Sequence, residues 1–256
     1  MTRQLKDMQA GLLVSPKHEA YLERGGDVLL SPQVAQFVID QLTGPQRDRR
    51  LTWSASGLGS CERQRVFSWL QAPGKQRFTS DTNNYFIHGT WTHLKWQTMG
   101  FDAGWLGQAE VSCSIPEMEL TGTVDGILTT GEGWELKSIN ERGFRMVASE
   151  GPIEKHLLQI HAYMIATGIR TWSLIYEDKG TQQWREYVIA YDQAMGQEVI
   201  DELGRLNGAL ETKTLPAVLP ACSRREGTTY KQCAFRDICL ETTKWPAKRG
   251  IKIVSG

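Results

Sequence analysis

Gly122-Thr-Val-Asp-Gly-Ile-Leu-Thr-Thr-Gly-Glu-Gly-Trp-Glu-Leu-Lys-Ser138 reads as a β-hairpin. Val124, Ile127 and Leu128 supply a first strand, Thr129 to Gly133 a glycine-rich turn, and Trp134 to Lys137 a second strand. Side chains two apart on a strand point to the same face, so Glu135 and Lys137 share one. Asp125 lies across the turn and can face them. Two carboxylates and an amine then converge, and carboxylate oxygens suit a hard cation such as Mg²⁺. A lysine beside such a metal can orient or activate an attacking water. The plain alternative is an exposed hairpin whose charges sit in water. Glu-x-Lys by itself does not separate the two readings.

The chain of 256 residues has room for one large domain or one domain with a small appendage. With 40% hydrophobic and 23% charged residues its composition is that of a globular protein. No apolar run is long enough to span a bilayer, and the opening Met-Thr-Arg-Gln-Leu-Lys-Asp has no apolar core behind its charges. The expectation is a cytoplasmic protein with no membrane partner. Five cysteines in that compartment point to thiols or metal ligands rather than disulfides. Lys and Arg number 29, as do Asp and Glu. This zero balance counts mildly against a nucleic-acid binder. Local patches set the field that a phosphate backbone meets, however. Such patches occur at Arg47, Arg49 and Arg50, at Arg63 and Arg65, at Arg224, Arg225, Lys231 and Arg236, and at Lys244, Lys248, Arg249 and Lys252. Each patch taken singly reads more simply as a solvated face.

Outward from the hairpin, residues 1 to about 16 show no period and read as an arm, and Lys17 to Arg24 as a short helix. Ser31-Pro32 starts a helix that carries Val34, Phe37, Val38 and Leu42 and stops at Thr43-Gly44-Pro45. These N-terminal helices show no chemistry. Trp53 to Gly59 is a Ser/Gly-rich loop, and Ser60 caps a helix through Leu70 with Cys61 in its first turn. A helix N-terminus favours a thiolate there; the bland reading is a small buried hydrophobe. Pro73 to Asn84 reads as a polar loop and Tyr85 to Met99 as a helix. On that helix an isolated His93 would be an ordinary structural histidine. Gly107 to Ile115 alternates like a half-buried strand, with Cys113 inward as a core residue. Leu120 to Leu128 and Trp134 to Ile139 follow as strands, then a Pro152–Thr167 helix closed by Gly168. Strands Trp172–Tyr176 and Trp184–Ala190 flank a turn at Gly180, and Asp192 caps a last long helix to about Leu210. The order predicts an α/β fold with a mixed central sheet flanked by helices.

From Thr214 the chain turns basic, proline-bearing and poor in apolar residues, with Cys222, Cys233 and Cys239. A segment of that kind needs a staple. The predicted division is an N-terminal helical arm (1–50), a core (51–213) and a cysteine-containing C-terminal segment (214–256) that packs back on the helix at Cys61.

At this point the sequence resembles the PD-(D/E)XK nuclease superfamily and its RecB-like exonuclease branch with four cysteines. CRISPR adaptation exonucleases, the nuclease domains of AddB-type helicase–nucleases and many phage exonucleases belong to that branch. The resemblance spans about Ser56 to Leu240 and rests on five matches in the family's order. These are Gly89-x-x-x-His93, Gly122-Thr-Val-Asp125-Gly, Glu135-Leu-Lys137, Gln159-x-x-x-Tyr163, and Cys61 with Cys222, Cys233 and Cys239. The Cys222-x10-Cys233 spacing is longer than the family's.

The resemblance implies a restriction-endonuclease-like core and a metal-dependent DNA exonuclease acting at ends or on single strands in recombination, replication or repair. His93, Asp125, Glu135 and the Leu136 carbonyl would hold Mg²⁺ or Mn²⁺, and Lys137 would position water. Gln159 and Tyr163, four apart on one helix face, would contact DNA or brace the site. Cys61, Cys222, Cys233 and Cys239 would hold a 4Fe-4S cluster, with structural zinc as the alternative. Relatives also suggest a homo-oligomer or a recombination or replication partner protein. Two other readings follow the same residues: trimming DNA for CRISPR spacer acquisition, and a non-catalytic DNA-end-binding module. Glu110 could stand behind the metal ligands or simply be solvated, and Lys179 reads as a turn lysine. Tyr85, Trp91, Trp134 and Tyr230 could stack on unpaired bases.

Overall fold

The computed structural model describes residues 11–25, 30–43, 51–74 and 79–245. Arg47, Arg49 and Arg50, the Gly44-Pro45 stop, and Pro246, Lys248, Arg249 and Lys252 lie outside the described residues. The fold is a mixed α/β structure with a six-stranded sheet. In chain order the first part comprises α1 (Ser15–Glu23), α2 (Pro32–Thr43), β1 (Trp53–Ser54), α3 (Glu62–Trp69) and α4 (Ser80–Asp102). Strands β2 (Leu106–Ile115), β3 (Leu120–Leu128) and β4 (Gly133–Ile139) follow, then α5 (Glu141–Glu150) and α6 (Glu154–Thr167). Strands β5 (Thr171–Asp178) and β6 (Trp184–Ala190) lead to α7 (Gln193–Thr212). The tail carries the short helices α8 (Pro220–Ser223), α9 (Gly227–Gln232) and α10 (Arg236–Cys239).

β3 is the hub of the sheet. Along one edge it pairs antiparallel with β2 from Leu120 to Leu128. Its other edge is shared: β1 pairs parallel at Leu120 and Thr121, and β4 antiparallel only at Gly126 and Ile127. Between those contacts, residues 122–125 of β3 face no strand. β4 has swung away to pair in parallel with β5 along its whole length. The turn that permits this is tight, with Leu128 N donating to the Glu132 carbonyl at 2.8 Å and Gly131 at φ 99°, where a side chain would be strained.

Both faces of the sheet are covered. Trp172, Leu174 and Tyr176 pack on one side with Leu120, Val124, Ile160, Met164 and Leu203, so α6 and α7 close that face. Ile175, between them in sequence, packs on the other side with Trp96, Trp105, Trp134 and Leu136 beneath α4. A strand buried on both faces needs an unbroken apolar run, which the β5 stretch Trp172–Tyr176 supplies apart from Ser173. The hydroxyl of that serine is satisfied by Glu186 Oε1 at 2.8 Å.

Several expectations are corrected. The Trp53–Gly59 stretch is not all loop: β1 and a 3₁₀ turn (Ala55–Gly57) begin it, too short for any period to betray. Cys61, not Ser60, is the N-cap of α3, and makes no side-chain cap bond. Helix α4 starts at Ser80, capped by Thr79 Oγ1 accepting from Thr82 N at 3.2 Å, so the end of the expected polar loop is helical. Helix α5 was not foreseen; Asn140 caps it, accepting from Gly143 N at 2.9 Å. Trp134 is fully buried, which removes it from the base-stacking candidates.

The N-terminal segment is no free arm where it is described. Val14 is buried in the core under α4. Helix α1 has no cap of its own; the carboxylate of Glu186 on β6 supplies one across the chain. Glu186 accepts from Leu13 N at 2.9 Å, Val14 N at 3.0 Å and Ser15 N at 2.7 Å. Replacing Glu186 with alanine would leave those buried donors unpaired. Glu186→Ala is expected to lower stability by about 2 kcal/mol or more in urea denaturation, with faster hydrogen exchange at Leu13 to Ser15. Unchanged stability would contradict the capping role.

Candidate active site

The parting of β3 from β4 makes the site. Asp125 is the first β3 residue after the pairing ends, and its side chain takes over from the backbone: Oδ2 accepts from Leu136 N at 2.8 Å. On the opened edge the Thr123 carbonyl accepts from the Tyr163 hydroxyl at 2.8 Å. The groups thus left at the fork line a cleft of about 1380 Å³. His93, Asp125, Glu135, Lys137, Gln159 and Tyr163 all contribute to its wall.

Glu135 and Lys137 project together from β4, as the two-residue period requires. Lys137 Nζ lies 2.6 Å from Glu135 Oε1 and 2.8 Å from Gln159 Oε1. Gln159 Nε2 also meets Glu135 Oε1 and the Tyr163 hydroxyl, each at 2.9 Å. Gln159 and Tyr163, one turn apart on α6, therefore form a continuous hydrogen-bonded brace from Lys137 to the β3 backbone. His93 comes from α4: its Nε2 lies 3.0 Å from the Leu136 carbonyl and 3.2 Å from Asp125 Oδ2. Its Nδ1 lies 2.9 Å from the Gly89 carbonyl.

The electrostatics follow from placing two acids and two bases in a poorly hydrated fork. Burial opposes the charge on His93, but Asp125, the Gly89 carbonyl and Glu135 outweigh it and hold its pKa up at about 10. Burial also resists the Asp125 charge, and His93 and Lys137 overcome it, so Asp125 is held below the usual carboxylate range. Glu135 goes the other way: burial and the neighbouring Asp125 push it up to about 7. Lys137 is held above its ordinary value, because Glu135 and Asp125 outweigh the effect of burial.

Among the described residues no group of three or more His, Cys, Asp or Glu side chains is arranged to hold a metal ion as it stands. At the fork these side chains are paired with one another instead, Asp125 with His93 and Glu135 with Lys137. The donor set nevertheless fits a hard divalent cation. Glu135 Oε2 is buried and accepts no hydrogen bond, an orphaned oxygen that a cation would satisfy. Across the fork, His93 Nε2 lies within 3.2 Å of both Asp125 Oδ2 and the Leu136 carbonyl.

Some contributors had no sequence signal of their own. Gln97 donates through Nε2 to Glu110 Oε1 at 2.9 Å and to the Asp125 carbonyl at 3.0 Å. Glu110 therefore reaches Asp125 through Gln97, with its own backbone at φ 55° where β2 passes Asp125. The four-residue step from His93 to Gln97 was the available clue. Cys113 is half-buried and lines the cleft rather than sitting wholly in the core. Tyr85 and Trp91 are exposed on α4, and Lys179 Nζ lies 3.3 Å from the Tyr85 carbonyl.

The remaining cysteines gather elsewhere. Cys61, Cys222, Cys233 and Cys239 line one small cavity between α3 and the tail helices. Burial raises the Cys222 thiol, and so do Cys61, Cys239 and Cys233. Arg63 clips the tail to α3, donating to the carbonyls of Pro216 at 2.7 Å, Cys239 at 3.0 Å and Thr242. Phe67 on α3 packs against Phe235, centroids 5.6 Å apart.

No family model matches the chain, and no curated protein does. Solved structures do. The exonuclease LHK-Exo in complex with dAMP aligns with a TM-score of 0.50 at 15% identity, over 64% of this chain and 89% of that one. The alkaline exonuclease LHK-Exo from Laribacter hongkongensis in a second crystal structure gives 0.47 at 16% identity, over 64% and 90%. SSO0001 gives 0.47 at 16% identity, over 80% and 93%. The likeness to the dAMP complex is one of fold. Among the described residues no helix is long and apolar enough to cross a membrane.

The charge pattern carries a pH dependence for the metal-free protein. Between pH 4.5 and about 7 the folded state holds an extra proton on Glu135, and between 6.5 and about 10 one on His93. Wherever the folded state binds more protons, stability falls as pH rises. Metal-free protein is therefore expected to lose stability steadily from pH 6.5 to 10, and His93→Gln to flatten that slope. Denaturation midpoints across the range would contradict the assignment if wild type and variant ran parallel.

Proposed function

We propose that this chain is a metal-dependent DNA exonuclease that hydrolyses phosphodiester bonds at DNA ends or on single strands. The observation that carries the reading is the convergence of Asp125, Glu135 and Lys137 at the strand fork, with His93 closing it from α4. His93, Asp125, Glu135 and the Leu136 carbonyl would hold Mg²⁺ or Mn²⁺. When bound, the ion supplies Lewis-acid charge to the phosphate oxygens and a more acidic water.

The chain's own groups do the rest. Lys137, paired to Glu135 and Gln159, is set to hold a water in line with a phosphorus by donating from Nζ. Gln159 holds Lys137 from the α6 side, and Tyr163 fixes Gln159 in turn. The outer part of the cleft is lined by hydroxyls, Ser112, Ser114 and Thr121 among them, which can donate to phosphate oxygens without reading bases. A fold shared with an exonuclease crystallised with dAMP agrees with a nucleotide-sized ligand in that cleft.

The thiol cavity is proposed to hold a 4Fe-4S cluster, with zinc as the alternative. The four cysteines line one cavity, and four sulfur donors are the usual holders of either centre. Its role would be to clip residues 214–256 to the 51–213 core at α3, where Arg63 already holds them, and not to take part in hydrolysis. A DNA-recombination, replication or repair setting, phage origin and a self-associated form belong to the same proposal.

Two tests separate the parts. Asp125→Asn and Lys137→Ala should each lower Mg²⁺- or Mn²⁺-supported cleavage of end-labelled DNA by at least about a hundredfold while leaving the fold intact. Cleavage at the wild-type rate by either variant would sink the active-site reading. Cys233→Ala should abolish bound iron in protein purified without oxygen and loosen the tail to proteolysis, with the isolated core chemistry retained. Iron at wild-type content in that variant would remove Cys233 from the set.

A further inference from the structure

His18 sits far from the fork in sequence yet bears on it. It is 2% exposed, and its ring stacks on Trp96 with centroids 3.9 Å apart and planes at 11°. Trp105 and Trp184 close the box edge-on at 6.3 and 5.2 Å. Its Nδ1 is buried with no hydrogen-bond partner, so the ring serves as a flat packing plate. Burial, aided by Lys95, lowers its pKa to about 4, which leaves the plate neutral near pH 7. The plate is anchored at its other end, because α1 begins on the Glu186 carboxylate.

Trp96 also donates its indole N–H to Glu177, the carboxylate that takes Lys95 Nζ at 2.7 and 2.9 Å. These three contacts fall within one turn of α4 that also carries His93 and Gln97. His93 Nε2 reaches Asp125 and the Leu136 carbonyl at 3.2 and 3.0 Å. A slide of α4 by one residue, about 1.5 Å, would break both contacts. Glu177 on β5 and the Gln97 bond to the Asp125 carbonyl tie this turn to the sheet, and the His18 stack holds it from the N-terminal side.

We propose that His18, held by the Glu186-capped α1, is a positioning residue for the divalent-cation site: its stack on Trp96 fixes the slide and roll of α4 and so sets His93 against Asp125 and Leu136. The proposal rests on the reading of His93, Asp125 and Glu135 as metal ligands. The N-terminal segment is then part of the metal site's support rather than an accessory arm.

The test is Mn²⁺ titration of the full chain, followed by the loss of the free-ion electron paramagnetic resonance signal, alongside urea denaturation. Wild type is compared with His18→Ala, His18→Phe, Asp125→Ala and Leu206→Ala, the last a core deletion on α7 away from α4. His18→Ala is expected to weaken Mn²⁺ binding roughly tenfold, as loss of an outer-shell support does. His18→Phe, which keeps a flat neutral ring, should restore it, and Leu206→Ala should lose stability with little loss of Mn²⁺ affinity. If the alanine variant does not fold, His18→Leu, which fills the box without stacking, gives the same comparison. Wild-type Mn²⁺ affinity in the alanine or leucine variant, or an equal loss in Leu206→Ala, would overturn the positioning role. Wild-type Mn²⁺ binding that survives Asp125→Ala would overturn the metal-site reading, and this inference with it.

Discussion

The structure depends on a fork. β3 can pair with β4 for only two residues, because β4 must continue in parallel with β5. A strand that parts from its neighbour leaves backbone donors and acceptors unpaired, and burying them unpaired is costly. Side chains meet that need. Asp125 accepts from Leu136 N on one branch, and Tyr163 donates to Thr123 O on the other. The residue that repairs the broken ladder is thus also the carboxylate at the centre of the site. Cleft, brace and acid cluster are consequences of the same parting.

The second constraint is charge. Four ionisable side chains share the fork, and they hold together in pairs: Asp125 with His93, Glu135 with Lys137. The pairing is incomplete, since Glu135 Oε2 has no partner and Glu135 itself is pushed towards neutrality. A buried carboxylate with an unused oxygen is stabilised by any cation that can reach it. The arrangement leaves one carboxylate oxygen open to a further partner. Two helices on opposite faces of the sheet enforce it, α6 through Gln159 and Tyr163, α4 through His93 and Gln97.

Much of the site could be read from the chain because its key spacings are local. Glu135 and Lys137 declare themselves by the strand period, and Gln159 and Tyr163 by the helix period. The hairpin needed only its glycines and its apolar run. The long-range supports were silent. Gln97 looks like any polar helix residue until Asp125 and Glu110 are brought beside it. Glu186 caps a helix more than 170 positions away in sequence, and no local rule links the two. His18 falls in the short helix expected at Lys17 to Arg24, but nothing local marks it, because its packing partners, Trp96, Trp105 and Trp184, are scattered along the chain. Helix α5 was missed for another reason: its capping Asn140 follows directly on β4, and the strand reading ran up to it. The tail cysteines were visible as residues, but the Arg63 clip that holds them was read only as part of a basic cluster.

Diffraction from crystals of the protein soaked in Mn²⁺, collected at the manganese absorption edge, tests the central claim most directly. An anomalous peak is expected at the fork, within coordinating distance of Asp125, Glu135, His93 Nε2 and the Leu136 carbonyl, with Lys137 displaced from Glu135 no further than Gln159 allows. A peak elsewhere, with the Asp125–His93 and Glu135–Lys137 pairs unchanged, would contradict it.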